Sequence, residues 1–213
     1  MGLVRDGVAL GDAAEPTTRS HVGSLPGLVE RVLAQAGLAI EDVEGLAVSI
    51  GPGSFTGLRI GLAFAKGLAF AGRLPLAVVP TLEALAVVAG VPAGETVCAA
   101  LDARKREVYA ALFRAEAVGP PTRLTPDLAL APEALAARLP VPCALVGDAG
   151  EAYGEMLGRR ATLLPFATHH PRGSVVARLG WVRLAAGEIA DLGAVEPRYL
   201  RPPQAQLPHG PSR

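Results

Sequence analysis

A mostly apolar segment, Val43 to Ile50, runs into Gly51-Pro52-Gly53-Ser54-Phe55-Thr56-Gly57 and then into a second apolar stretch that keeps helical spacing to about Ala71. A buried strand that turns through glycines into a helix is a building unit of an α/β layer fold. Such a turn also presents backbone amides and a helix dipole that can hold an anion. The spacing fits none of the named phosphate loops. Gly51 and Gly57 are separated by five residues and followed by Leu58-Arg59, where a Walker loop needs four residues and then Gly-Lys-Ser or Gly-Lys-Thr. The same glycines are one residue too long for the dinucleotide fingerprint, and the next strand, Leu76 to Val79, ends in Pro80-Thr81 where a ribose-binding acid is wanted. Pro52, two positions before Ser54, excludes a nucleophile elbow. What remains is a tight strand-to-helix turn with Ser54 or Thr56 as the helix cap.

The faces of that helix differ in composition. Gly57, Gly61, Ala65 and Ala69 recur every four residues, with Leu58 and Leu68 beside them, while Ile60, Phe64 and Phe70 fall on the other side. Small residues at this spacing let another backbone approach closely, whether from a neighbouring helix of the same chain or from a partner. Arg59, Lys66 and Arg73 stand seven apart in a narrow basic stripe, which reads either as a solvated face or as the rim of an interface that steers an acidic partner.

Before the glycine turn, Leu3 to Leu10 broken by Asp6-Gly7 predicts a hairpin. Leu25, Leu28, Val29, Val32, Leu33 and Ala36 then predict an amphipathic helix from Ser24, or from as early as Ser20, stopped by Gly37. After it, Leu76 to Val79 is a buried strand and Thr81 can cap a helix ending at Gly90. A break at 90–94 leads to Val97–Leu101 and Val108–Phe113, a hairpin joined by the charged run Asp102 to Glu107. Pro132 opens a helix to about Leu139, Ala144-Leu145-Val146 is a strand, and Ser174 can cap a last helix carrying Val175, Leu179, Val182 and Ala186. The expected division is 1–94, an α/β unit with the glycine turn; 95–201, a second α/β unit; and 202–213, a Pro-rich tail.

Composition narrows the function classes. Half of the 213 residues are hydrophobic and 19% are charged, which excludes intrinsic disorder, and the apolar runs fall short of a membrane span. Twenty basic residues balance twenty acidic ones, so no whole-chain field favours nucleic acid, although local patches remain open. Cys98 and Cys143 form no CxxC pair and no secretory segment opens the chain, which gives the cytoplasm as the expected compartment. His169-His170 stand beside Pro171, and His21 and His209 are isolated; none has metal-ligand spacing. Asp102, Glu107 and Asp148 sit in turns, where acids usually bond nearby amides. No acid, base and nucleophile assemble, so no catalytic, cofactor-binding or metal-binding residue is assigned.

The run Gly51 to Gly61, Pro80-Thr81-Leu82-Glu83-Ala84-Leu85, Leu101-Asp102-Ala103-Arg104 through Glu107-Val108-Tyr109, and Pro197-Arg198-Tyr199-Leu200-Arg201 together resemble the bacterial TsaB (YeaZ) family. The resemblance spreads over most of the chain. It implies a two-lobed α/β fold of the actin-like, sugar-kinase and Hsp70 ATPase (ASKHA) superfamily, and an inactive relative of TsaD. It also implies a role beside TsaD and TsaE in placing a threonylcarbamoyl group on the adenosine following the anticodon of ANN-decoding tRNAs. TsaD binds its metal through a paired-histidine helix motif that this chain lacks, so the expectation is a non-catalytic scaffold that meets tRNA only through the complex. The interface expected for TsaD, and for a homodimer, is the helix after the glycine turn (Gly57, Leu58, Arg59, Gly61, Ala65, Lys66, Leu68, Ala69, Arg73) with Leu28 and Val32 of the preceding helix. The rival readings are a nucleotide-dependent transferase of the superfamily and a peptidase acting on TsaD. One departure stands out: family members open with an apolar strand ending in Asp-Thr, and here that strand is missing. Its loss would leave backbone groups of a sheet unpaired, and the expectation is a chain start about a dozen residues inside the true one.

Overall fold

The computed structural model describes residues 1–15 and 21–201, with the side chains of 21–23 outside that description. Ser20 and the Pro-rich tail 202–213 therefore lie outside the described residues.

Asp6 and Gly7, both at positive φ (52° and 77°), join β1 (Gly2–Arg5) to β2 (Val8–Asp12) as the hairpin dipeptide predicts. Helix α1 (His21–Ala36) stops at Gly37, whose φ of 66° is the left-handed value that ends a helix. The strand β3 (Leu46–Gly51) starts later than Val43, because Ile40–Asp42 form a short 3-10 turn closed by the Val43 amide donating to Ile40 O. Helix α2 (Phe55–Gly72) then crosses to β4 (Leu76–Pro80), which pairs parallel with β3 from Leu46 opposite Leu76 to Ser49 opposite Val79.

The second half centres on a long hairpin. Helix α3 (Thr81–Val88) precedes β5 (Thr96–Arg104) and β6 (Glu107–Arg114), followed by β7 (Thr122–Arg123), β8 (Leu128–Leu130) and α4 (Pro132–Arg138). After these come β9 (Ala144–Val146), α5 (Ala149–Ala152), α6 (Gly154–Leu157), β10 (Thr162–Leu163) and α7 (Gly173–Ala185). The strands form one sheet in the order β10-β9-β5-β6-β7, with β8 also on β6. Strand alternation divides its core between two faces. Cys98, Ala100, Val108, Ala110 and Leu145 meet Leu135 and Leu157 on one side; Val97, Ala99, Ala111, Phe113 and Val146 meet Leu82 and Leu85 of α3 on the other.

Around β3 and β4 the same logic works with smaller residues. Leu46, Val48 and Ile50 pack with Leu62, Ala65 and Ala69 of α2. The intervening Ala47 approaches α7 so closely that a Cβ on Gly180 would sit 2.2 Å from the Ala47 Cβ. The β1–β2 hairpin lies on the start of α7, where a Cβ on Gly2 would fall 1.9 Å from the Ser174 amide nitrogen. Among the described residues β1 pairs only with β2, and β3 only with β4.

Three expectations change. Helix α7 follows the second sheet in the chain but packs on β1, β2, β3 and β4, so the division at 94/95 does not follow the packing: the last helix returns to the first half. Nor does Ser174 cap it. Arg172 holds the cap position without a side-chain bond, and Asp12 of β2 supplies the missing acceptor, taking the Ser174 amide (2.8 Å) and hydroxyl. A carboxylate at a helix N-terminus satisfies open amides and opposes the dipole. Thr81 is likewise no cap; its hydroxyl bonds Ser49 Oγ at 2.7 Å.

Candidate functional site

The glycine turn is held by a segment far away in sequence. Gly51 has a φ of 114°, and a Cβ there would stand 2.7 Å from the carbonyl oxygen of Arg198, whose own amide donates to Ile50 O at 2.7 Å. Glycine is required by both the backbone sign and the close approach. Ser54 caps α2, its hydroxyl accepting from the Gly57 amide (3.3 Å), which settles the choice between Ser54 and Thr56.

The small-residue stripe divides along its length. Ala65 and Ala69 are 9% and 1% exposed and serve the chain's own core, as do Leu28 and Val32, which pack with Ala13 under the β1–β2 hairpin. These four offer no surface to a partner in the chain as described. A Cβ on Gly61, by contrast, would meet nothing within 4 Å among the described residues. Gly57 and Leu68 are half-buried, as is Leu58, whose Cδ1 would stand 3.0 Å from a Cβ on Gly51. Outward-facing Ala63, Gly67 and Phe70 are exposed, Phe70 at 81%.

The basic stripe is not uniformly solvated. Arg59 Nε donates to Tyr199 Oη (2.8 Å) and its guanidinium lies 4.1 Å from the Phe55 ring centroid, while the Phe55 and Tyr199 rings stand 4.9 Å apart. Lys66 Nζ donates to Val195 O at 3.3 Å. Arg73 takes the left-handed position that ends the helix. Two of the three cations thus strap residues 195–199 onto α2. The strap continues: Arg198 pairs with the buried Asp127 (3.1 Å), and Arg201 bonds Glu107, Tyr109 Oη (3.1 Å) and Ala103 O at the β5–β6 hairpin.

Glycine turn, hairpin tip and strap together enclose a cleft of about 420 Å³, lined by Gly53, Phe55, Arg104, Tyr109, Arg198 and Tyr199 among others. The hairpin tip is shaped by three consecutive residues at positive φ, Arg104, Lys105 and Arg106. Asp102 fixes it, accepting from the Arg104 amide (2.9 Å) and pairing with its guanidinium (3.1 Å).

Comparison with known proteins gives the family. The family model of tRNA N6-adenosine threonylcarbamoyltransferase (TsaD) matches residues 13–119. The Escherichia coli tRNA threonylcarbamoyladenosine biosynthesis protein TsaB is 33% identical over 86% of this chain and 81% of its own length. The Bacillus subtilis protein of the same name is 30% identical over 97% of this chain and 90% of its own. The chain belongs to the TsaB (YeaZ) family. The structure of YeaZ from Pseudomonas aeruginosa superposes with a TM-score of 0.77 at 30% identity, covering 93% of this chain and 92% of that one. This mixed α/β fold fits the ASKHA type.

Against that family background, the other candidate groups act locally. Asp148 Oδ1 accepts from the Asp102 amide at 2.8 Å, and burial, the largest influence, holds its carboxyl pKa above the ordinary value. Tyr153 Oη donates to Asp102 Oδ1 at 3.3 Å. These acids brace the base of the hairpin. Cys98 and Cys143 are free and buried, and burial pushes the Cys143 thiol up to about 11. His169 and His170 bond carbonyls of their own loop, while His209 and the side chain of His21 lie outside the described residues. Among the described residues no group of three or more His, Cys, Asp or Glu is placed to hold a metal ion. Nor is any described helix long and apolar enough to cross a membrane. The strap is the element of the cleft that periodicity misses. Its sequence signal was the alternation of arginines with an aromatic residue in Arg198-Tyr199-Leu200-Arg201.

Proposed function

We propose that the chain is a non-catalytic, cytoplasmic subunit of tRNA threonylcarbamoyladenosine biosynthesis that binds TsaD and, together with TsaE, supports transfer of the threonylcarbamoyl group to the adenosine following the anticodon of ANN-decoding tRNAs. The observation that carries this reading is the open flank of α2 at Gly61, where a Cβ would meet none of the described residues within 4 Å and a neighbouring ridge has room; exposed Phe70 stands on the opposite flank. Such a surface meets a partner helix by close approach. A homodimer of the chain would use the same surface, and it and the TsaD complex then compete for it.

The fold implied by this reading has two lobes. One is the β5–β6 sheet with α3 to α6; the other joins the β1–β2 hairpin and the β3–β4 pair over α7. Sizing chromatography with purified TsaD tests the partner, and reconstitution with TsaE, threonylcarbamoyl-adenylate and tRNA, with and without the chain, tests the role. Co-elution and dependence of the modification on the chain support the reading. ATP turnover or TsaD cleavage by the chain alone overturns it in favour of an enzyme.

A further inference from the structure

The cleft between glycine turn, hairpin tip and strap has a charge pattern that the subunit role does not use. Among the described residues every charged side chain that lines it is cationic: Arg104 and Lys105 on one wall, Arg198 and Arg201 on the other. Their carboxylate partners, Asp102, Glu107 and Asp127, stand behind the wall and do not line it. Asp127 is shared, since Arg123 also pairs with it at 2.5 Å, so one carboxylate faces two guanidiniums and part of Arg198's charge is left over. The Arg104 side chain is 85% exposed, so its pair with Asp102 is screened and its charge remains available at the cleft mouth. The whole chain is neutral, which makes this a local field.

Three rings, Phe55, Tyr109 and Tyr199, complete the lining. Aromatic faces interleaved with guanidiniums are what stack the bases and hold the phosphates of single-stranded nucleic acid. The N-terminus of α2 opens at the same place, because Gly53 and Phe55 both line the cleft, and its dipole adds to the positive potential. About 420 Å³ is within the range of pockets that enclose one small ligand, and it is too small for a duplex.

We infer that this cleft takes one unpaired nucleotide of an RNA strand, with the base against the aromatic lining and the phosphates against Arg104, Lys105, Arg198 and Arg201. The inference rests on the reading that the chain works on tRNA modification, and it replaces contact through the complex alone with direct contact by this subunit.

The test is fluorescence anisotropy of the purified chain with a labelled ten-nucleotide single-stranded RNA, with AMP and inorganic phosphate as competitors. The variant is Arg104→Gln with Lys105→Gln, at exposed positions away from the α2 surface; Asp102 keeps its bonds from the Arg104 amide and Tyr153. The expected result is saturable RNA binding that weakens with salt, at least about tenfold weaker in the double variant, with AMP and phosphate competing only at far higher concentration. Phe55→Ala should also weaken binding and Phe55→Trp restore it. No RNA binding, binding unchanged in the double variant, or AMP binding as tightly as the RNA overturns the inference, the last making the cleft a free-nucleotide site. Unfolding curves and TsaD co-elution of each variant separate the two readings. Lost RNA binding with intact co-elution breaks only the direct RNA contact. Lost co-elution in Gly61→Leu with intact RNA binding breaks only the α2 surface.

Discussion

In the six-stranded sheet, β5 has a strand on each side and helices on both faces, and Val97, Cys98, Ala99 and Ala100 are essentially sealed from solvent. In the β3–β4 pair, β3 is also covered on both faces, by α2 and α7, yet Leu46 to Ile50 all stay partly exposed. The difference is the edge. Two helices close the faces of a strand but leave one row of amides and carbonyls unpaired, and the side chains above that row stay open to solvent. The stability of the molecule should therefore be concentrated in the second half, with the first half held to it by a few long-range ties.

The largest effect is expected where the sheet is complete. Phe113→Ala should cost about 3–5 kcal/mol in denaturant unfolding, because the ring is fully buried and Arg123 lies over it at 4.6 Å. Val48→Ala on β3 should cost roughly 1 kcal/mol, since the site is half open and loses little buried area. Equal costs would erase the contrast between the two sheets.

Next is the tie between them. Arg183 of α7 donates to both carboxylate oxygens of Glu83 on α3, at 2.7 and 2.8 Å, and both side chains are largely buried. Removing one member of such a pair strands the other charge, so Glu83→Ala should cost roughly 3 kcal/mol. Calorimetry should then show the first half melting ahead of the second. A single unshifted transition would mean that the pair does not couple them.

A smaller effect concerns the open edge itself. Amides of β3 that lack a strand partner should exchange with solvent much faster than those of β5. Equal exchange rates for the two strands would remove the open edge from the account.

The smallest effect is one of pH. Because burial raises the folded-state pKa of Asp148 above its unfolded value, its stabilising contribution is complete below the ordinary carboxylate pKa and is lost as pH rises through the raised one. Asp148→Asn should flatten that decline while keeping an acceptor for the Asp102 amide, and stability measured across the acid range checks it. A decline of unchanged slope would assign it to another group.

Much of this architecture is legible in local sequence. Asp6-Gly7, Gly37, Ser54 and Pro132 each state a backbone requirement within a few residues, and the structure meets all four. The rest depends on contacts that no period reports. Asp12 caps α7 across 162 residues, and Arg59 meets Tyr199 across 140. The stripe on α2 was only half readable for a different reason. Small residues permit close approach without saying by whom, and here Ala65 and Ala69 receive the chain's own sheet while a Cβ on Gly61 would meet nothing among the described residues.

That last difference gives the sharpest test of the partner surface. Gly61→Leu places a side chain where a Cβ meets no atom within 4 Å, so the melting temperature should stay within about a degree or rise slightly, because glycine inside a helix is the less stable choice. Its co-elution with TsaD should be lost, since the same side chain fills the space a partner ridge needs. Co-elution at the parent affinity with an unchanged melting temperature would show that α2 does not carry the interface, and a large fall in melting temperature would show that Gly61 packs inside the chain after all.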